Sequence, residues 1–256
     1  MIPENQQRKK IIQHFTVRAH TYHELYTMDS HSQSFNERAE LLLNHTSKGD
    51  TILNVGSGPG VLYEILRNKA NLLVECDLSH ENMKVARYKS SGDENVFYTT
   101  ADMTALPFQN GYFDTVCCIG AIEYVKNWQV AVDEFLRVLK PDGKIIITFA
   151  NKILITSYYE YFYRHFTWLI KRLFGQFQAN YKRYLHTPKQ ITLALDAKTI
   201  NINKVFFFAY KILPDPLNRL LNDLEMKLVL KASKQTQIQK YVATQFMIVA
   251  QKRNKI

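Results

Sequence analysis

The stretch Ile52-Leu-Asn54-Val-Gly56-Ser57-Gly58-Pro59-Gly60 decides the fold. Thr51 to Val55 is a short apolar run that stops at glycine, which reads as a buried strand. Beyond Gly60 the apolar residues Val61, Leu62, Ile65 and Leu66 recur at helical spacing. The glycines therefore sit in a strand-to-helix turn, where the missing Cβ lets a ligand approach the backbone. A helix beginning there offers unpaired N–H groups and the positive end of its dipole, which suit a carboxylate or a phosphate.

Reading outward, strands and helices alternate. Leu72–Cys76, Asn95–Thr99, Phe113–Ile119 and Lys144–Phe149 read as further strands. Between them lie a helix near 80–90 with Ser79 as its cap and a helix over Trp128–Leu139 that ends in the turn Lys140-Pro-Asp-Gly143. This alternation predicts an α/β fold with βαβ units and a parallel sheet covered on both faces. Helices are expected near 6–28 and 32–46. Thr187-Pro188 reads as a helix start leading to Leu195, and 200–209 and 242–250 as strands. Asp215-Pro216 is expected to open a helix with Leu217, Leu220, Leu221, Leu224 and Leu228 on one face. The expected organisation is one domain over 1–256. Helices over 1–50 cover the ligand, 51–150 forms the core, 151–199 is a helical cap and 200–256 completes the sheet.

Two carboxylates follow the glycine turn. Asp77 ends the second strand, where it can accept hydrogen bonds from both hydroxyls of a ribose. Asp102 lies just after the third strand, where it can take a hydrogen bond from an adenine amino group while Met103 packs on the ring. Together with the turn they describe an adenosine site at a topological switch point. The spacing G-x-G-x-G and the element around Asp102 disfavour a dehydrogenase.

These segments resemble the class I S-adenosylmethionine-dependent methyltransferases, in particular the small-molecule, methyltransferase type 11 and ubiquinone/menaquinone-biosynthesis-like branch. Asn54-Val-Gly-Ser-Gly-Pro-Gly60 resembles the first family motif, Glu75-Cys-Asp77-Leu78-Ser79 the second and Ala101-Asp102 the adenine motif. Phe113-Asp114 through Gly120-Ala-Ile-Glu-Tyr124-Val125 and Leu136-Arg-Val-Leu-Lys-Pro-Asp-Gly143 resemble the fourth-strand motif and its connection to the fifth. Upstream, Phe15 to Tyr22 resembles the helix that covers the cofactor. The resemblance spans about 100 contiguous residues with its motifs in order. It implies a Rossmann-like, mostly parallel seven-stranded sheet with helices on both faces and an aromatic helical cap. The implied cofactor is S-adenosylmethionine, leaving as S-adenosylhomocysteine, held by Asn54, Gly56, Ser57, Gly58, Gly60, Asp77, Leu78, Asp102, Met103 and Gly120. Two positions depart from the family. Asn54 stands where an aspartate is usual, and Tyr124 where a histidine is frequent, so no catalytic histidine carries over.

Composition bounds the rest. The chain has 256 residues, 46% hydrophobic and 22% charged, enough to bury a core. No run of 18 uncharged apolar residues occurs, and the polar start Met1–Lys10 lacks the apolar core of a signal peptide. Cys76, Cys117 and Cys118 lie in strand-like runs, without the count or spacing of disulfides or a zinc site. A cytoplasmic location is expected. The net charge of +10 is uneven: residues 1–50 are neutral, 51–150 carry −3 and 151–256 carry +13. Such asymmetry points to an anionic partner. Residues 153–177 interleave nine aromatics with basic groups such as Lys171 and Arg172. This segment is expected to set acceptor specificity, as a lid over a hydrophobic small molecule or lipid, or as a surface for peripheral contact with an anionic membrane. Nothing resembles an appended RNA-binding module or an Asn/Asp-Pro-Pro-Tyr motif, so nucleic acid is not the expected partner.

The expected reaction needs no nucleophile from the protein, because a sulfonium methyl is already electrophilic. A base matters only if the acceptor must lose a proton. His14, His20, His23, His165 and His186 are candidates, and Tyr22 is expected to line the methyl site. The catalytic candidates carried forward are Tyr22, His23 and His186. A non-catalytic cofactor-binding subunit and an RNA or protein methyltransferase are the alternatives.

Overall fold

The computed structural model describes residues 4–22, 29–152, 181–198, 200–210, 221–234 and 236–253. Seven strands form one sheet: β1 (Asp50–Val55), β2 (Ala70–Asp77), β3 (Val96–Thr100), β4 (Phe113–Cys118), β5 (Leu139–Ala150), β6 (Ile200–Tyr210) and β7 (Ala243–Lys252). Their order is β3-β2-β1-β4-β5-β7-β6. The first five are parallel, and β7 runs antiparallel between β5 and β6. The helices are α1 (Glu4–Arg18), α2 (Asp29–His45), α3 (Tyr63–Arg67), α4 (His80–Lys89), α5 (Trp128–Val138), α6 (Pro188–Asp196), α7 (Asn222–Ser233) and α8 (Thr236–Val242). This is the mostly parallel seven-stranded sheet, flanked by helices, that the sequence predicts.

Alternation along the strands builds two cores. Leu53, Val55, Val74, Cys76, Val116 and Ile147 face one side, where α5 contributes Ala131, Val132 and Phe135 and α6 contributes Ile191 and Leu195. Ile52, Leu73, Cys117, Ile146 and Met247 face the other, against Leu42 of α2 and Leu66 of α3. The period of two is what a sheet buried on both faces requires. Because the order reverses at β1, the carboxyl ends of β1 and β4 diverge into a crevice, the usual ligand position in open α/β sheets.

Local chemistry sets the helix starts. The Ser79 hydroxyl accepts from Asn82 N to cap α4, and Thr187 and Gln190 form a reciprocal capping box at α6. Several expectations need correction. The helix expected over 6–28 ends at Arg18 and passes into a turn. The turn expected at Lys140–Gly143 lies inside β5: residues 140–143 stand opposite Asp114 alone, between the pairs Phe113–Leu139 and Thr115–Lys144. Asp142 absorbs the excursion with φ +60°. The start at Asp215-Pro216 and the aromatic segment 153–177 lie outside the described residues; of the leucines expected on one helical face, Leu221 and Leu224 are 45% and 47% exposed.

Candidate active site

The glycine turn is built by backbone conformation. Gly56, Gly58 and Gly60 have φ of +70°, +58° and +73°, values that side-chain-bearing residues adopt at a cost. At Gly56 a Cβ would also stand 2.3 Å from the Cβ of Ala121, so the β1 turn and the loop after β4 touch through the missing side chain. A Cβ at Gly58 would meet nothing within 4 Å. Gly56 N and Ser57 N both donate to Cys76 O, at 2.7 and 3.1 Å, which ties the turn to β2.

A cavity of about 190 Å³ opens at the carboxyl ends of β1, β2 and β4, and its walls include Asn54, Gly56, Ser57, Gly58, Asp77, Leu78, Asp102, Met103 and Gly120. Nine of the ten sequence-proposed binding residues thus meet there. Gly60 does not; it packs on α4, where its Cβ would stand 3.2 Å from that of Ala86.

The two carboxylates are held differently. Asp77 accepts from Gly58 N at 2.9 Å, Ser79 N at 2.8 Å and Asn82 Nδ2 at 3.0 Å. Burial raises its pKa above the ordinary aspartate value, against the opposing pull of these donors. Asp102 accepts from Thr104 N and Thr104 Oγ1 at 2.9 and 2.8 Å, and its Oδ2 lies 3.1 Å from Arg8 Nη1 of α1. The loop after β3 is braced from α5. Arg137 donates to the carbonyls of Leu106 and Phe108 at 2.8 and 2.7 Å and pairs with Glu134 at 2.7 Å.

Helix α1 crosses this end of the sheet. Gln7 Nε2 donates to Lys182 O at 2.7 Å while Lys182 N donates to Gln7 Oε1 at 3.1 Å, and Thr16 bonds Ser79 at 2.9 Å. The segment from Tyr181 is anchored in turn by Tyr184 N to Glu123 O at 2.7 Å and by Arg183 to the buried Glu123 at 3.0 Å. Part of the cavity wall is aromatic. The Phe15 ring lies 5.3 Å from Tyr124 and 6.1 Å from Tyr22, all three facing the cavity. Tyr181 packs behind Tyr124 at 5.5 Å.

Of the catalytic candidates, Tyr22 lines the cavity. The His186 ring lies between Trp128 and Phe149, at 5.7 and 6.0 Å, outside the cavity walls. His23 and His165 lie outside the described residues. His20 is exposed and pairs with Glu81 at 3.3 Å. His14 meets the Phe15 ring edge to face at 5.1 Å, and its Nε2 lies 3.1 Å from both Arg18 Nη1 and Tyr181 Oη. A guanidinium only donates, so Nε2 carries the lone pair and the proton sits on Nδ1. Burial first, and the Arg18 charge second, hold its pKa below 6.5.

Among the cavity-associated groups that sequence reading missed, two bear on the cofactor site. Arg38 of α2 reaches the cavity, its Nη1 3.5 Å from where a Cβ on Gly120 would stand. Glu75 lies one layer behind the wall, fully buried and hydrogen-bonded by Asn54.

Fold and site define an α/β protein with a glycine-turn crevice at its switch point. Residues 53–147 match the family model described as a methyltransferase domain. A demethylmenaquinone methyltransferase of Clavibacter sepedonicus is 35% identical over 99 residues, 39% of this chain and 40% of that protein. An uncharacterised protein of Methanocaldococcus jannaschii is 30% identical over 185 residues, 70% of this chain and 64% of that protein. The chain thus spans less than two thirds of the length of either curated relative. The magnesium protoporphyrin IX methyltransferase of Synechocystis PCC 6803, solved with bound S-adenosylhomocysteine, has the same fold with a TM-score of 0.61 at 15% identity, covering 97% of this chain and 100% of that one. Residues 53–147 thus match a methyltransferase domain, on a fold shared with a methyltransferase solved with bound S-adenosylhomocysteine.

Proposed function

We propose that this chain transfers a methyl group from S-adenosylmethionine to an O, N or C atom of a hydrophobic small-molecule or lipid acceptor by in-line displacement. The observation that carries this reading is a single cavity lined both by the glycine turn, Asp77 and Asp102 and by the aromatic rings of Phe15, Tyr22 and Tyr124. The residues fit the cofactor. The buried Ser57 hydroxyl has no well-formed partner, the space beside Gly58 is open, and Asp77 and Asp102 suit ribose hydroxyls and an adenine amine. Arg38 suits the carboxylate of the methionine end. When bound, the cofactor supplies an electrophilic methyl on a sulfonium.

The protein's own part is to orient and to exclude water. The aromatic wall favours a flat apolar acceptor and offers π faces to a cation. Where the acceptor must lose a proton, the candidate base is His14, which stands behind Phe15 outside the cavity walls and would be reached through water or Tyr181. The likeness to a demethylmenaquinone methyltransferase supports a quinone-like acceptor. No described helix is long and apolar enough to cross a membrane. The +13 charge of residues 151–256 supports approach to an anionic membrane surface.

The test is methyl-labelled cofactor offered with phenols, demethylated quinones, fatty acids and tRNA. Label in an apolar product that is lost in Phe15→Ala supports the reading. Label only in RNA overturns it.

A further inference from the structure

A polar row crosses the sheet beneath the cavity. In register, Tyr98 of β3 stands beside Glu75 of β2, Glu75 beside Asn54 of β1, and Asn54 beside Cys117 of β4. All four share the face that otherwise carries Ile52, Leu73 and Ile146. Glu75, Asn54 and Cys117 are 0%, 1% and 0% exposed. Asn54 Nδ2 donates to Glu75 Oε2 at 2.9 Å, and Cys117 Sγ donates to Asn54 Oδ1 at 3.5 Å, which fixes the amide's orientation. Asn54 and Ser57 form cavity wall; Glu75 does not. Glu75 Oε1 and Ser57 Oγ are both buried without a well-formed partner.

A carboxylate so deep calls for a counter-charge, and among the described residues the groups that act on Glu75 supply none. Asp77 on its own strand is acidic, and Ser57 and Asn54 are neutral. Tyr98 carries Arg87 over its ring at 5.6 Å, which engages that cation. Tyr63 of α3 is engaged by Asp93 at 2.8 Å, and Arg67 by the same carboxylate at 3.2 Å. Burial accordingly pushes the Glu75 pKa up to about 7.

We infer that Glu75 is a positioning residue of the cofactor site, the counter-charge that ionises when the cationic cofactor enters and takes its proton back when the neutral product is left. The inference rests on the reading of the cavity as an S-adenosylmethionine site. That cofactor carries a sulfonium charge and an ammonium against one carboxylate, for a net +1. S-Adenosylhomocysteine has lost the sulfonium charge and is net neutral. A cation on the far side of Asn54 and Ser57 favours the ionised carboxyl, because buried charges are poorly screened. The Glu75 carboxyl then releases its proton to solvent, and the Ser57 hydroxyl turns to donate to Oε1. Loss of the sulfonium charge on methyl transfer reverses the step, so the pair favours cofactor over product increasingly as pH rises.

The experiment is calorimetric titration of the intact chain with S-adenosylmethionine and S-adenosylhomocysteine at pH 7, in phosphate and in Tris. The difference in heat between buffers counts protons. The expected result is release of about half a proton with the cofactor and markedly less with the product, with the product-to-cofactor Kd ratio rising about fivefold from pH 6 to pH 8. Glu75→Gln keeps an acceptor for Asn54 and isolates the effect from protons exchanged by the ligand's own amine. In this variant the release and the pH trend disappear while both ligands still bind. Equal proton counts for the two ligands in the parent chain, or release that persists in Glu75→Gln, overturn the inference and leave the cofactor reading intact. No binding of either ligand by the parent chain overturns both.

Discussion

The guanidinium of Arg8 lies 3.1 Å from Asp102 Oδ2, so α1 is tied across the cavity to the carboxylate proposed for adenine. The Arg8 side chain is 49% exposed, and such pairs contribute little to stability, about 0–1 kcal/mol. Arg8→Ala is therefore expected to leave Tm nearly unchanged. It is expected to speed dissociation of S-adenosylhomocysteine several-fold, because a strap over the ligand is lost. Stopped-flow displacement and thermal melts check the two halves, and an unchanged off-rate contradicts the strap.

The glycine turn gives a sharper contrast. Both Gly56 and Gly58 sit at positive φ, but only Gly56 faces an atom at 2.3 Å. Gly58→Ala is expected to cost about 1–2 kcal/mol through backbone strain alone. Gly56→Ala must also push the loop at Ala121 away, and is expected to cost more than about 3 kcal/mol and to abolish cofactor binding. Denaturant unfolding of the two variants side by side decides; equal losses contradict the contact.

Glu75 predicts a pH signature in the free protein. Its folded pKa of about 7 lies above the ordinary 4.5, so the native state holds a proton that the unfolded chain has lost. Its contribution to stability therefore falls as pH rises from about 4.5 to 7 and stays low above. Glu75→Gln removes this term. It is expected to be more stable than the parent at pH 8 by at most about 3 kcal/mol, with the gap closing toward pH 5. A variant less stable than the parent at pH 8 contradicts the buried acid.

His14, as the proposed base, is expected to make the rate depend on pH. Burial and Arg18 hold its pKa below 6.5, so activity with an acceptor that loses a proton is expected to rise with pH through a midpoint below 6.5. His14→Ala is expected to lose about 100-fold in kcat/KM and to lose this limb of the profile. A limb that survives in His14→Ala assigns it to another group.

Much of this was legible in the residues. The five parallel strands, the glycine turn, Asp77 and Asp102 all announce themselves by alternation and by position at strand ends, which are local signals. What stayed hidden was set by tertiary contact. Nothing in Ala19 to Met28 is a glycine or proline, so α1 is stopped at Arg18 by no helix breaker. Lys140-Pro-Asp-Gly143 carries turn chemistry, and the chain keeps that irregularity as a bulge within β5 because Lys140 pairs with Asp114 at 2.8 Å. Arg38 is one basic residue on an amphipathic helix, and only the packing of α2 beside Gly120 gives it a role. Glu75 did leave a trace, a lone charge within the apolar run Leu72–Cys76, but its link to Asn54 exists only through the β1–β2 register.

The most direct test of the account is calorimetric titration of the chain and of Asp77→Ala with S-adenosylmethionine and S-adenosylhomocysteine, with NAD as the control. The account predicts one site of micromolar affinity for both sulfur compounds, none for NAD, and a loss of about 1–3 kcal/mol in Asp77→Ala from a missing charged hydrogen bond. Binding unaltered in Asp77→Ala, or no binding by the parent chain, would contradict it.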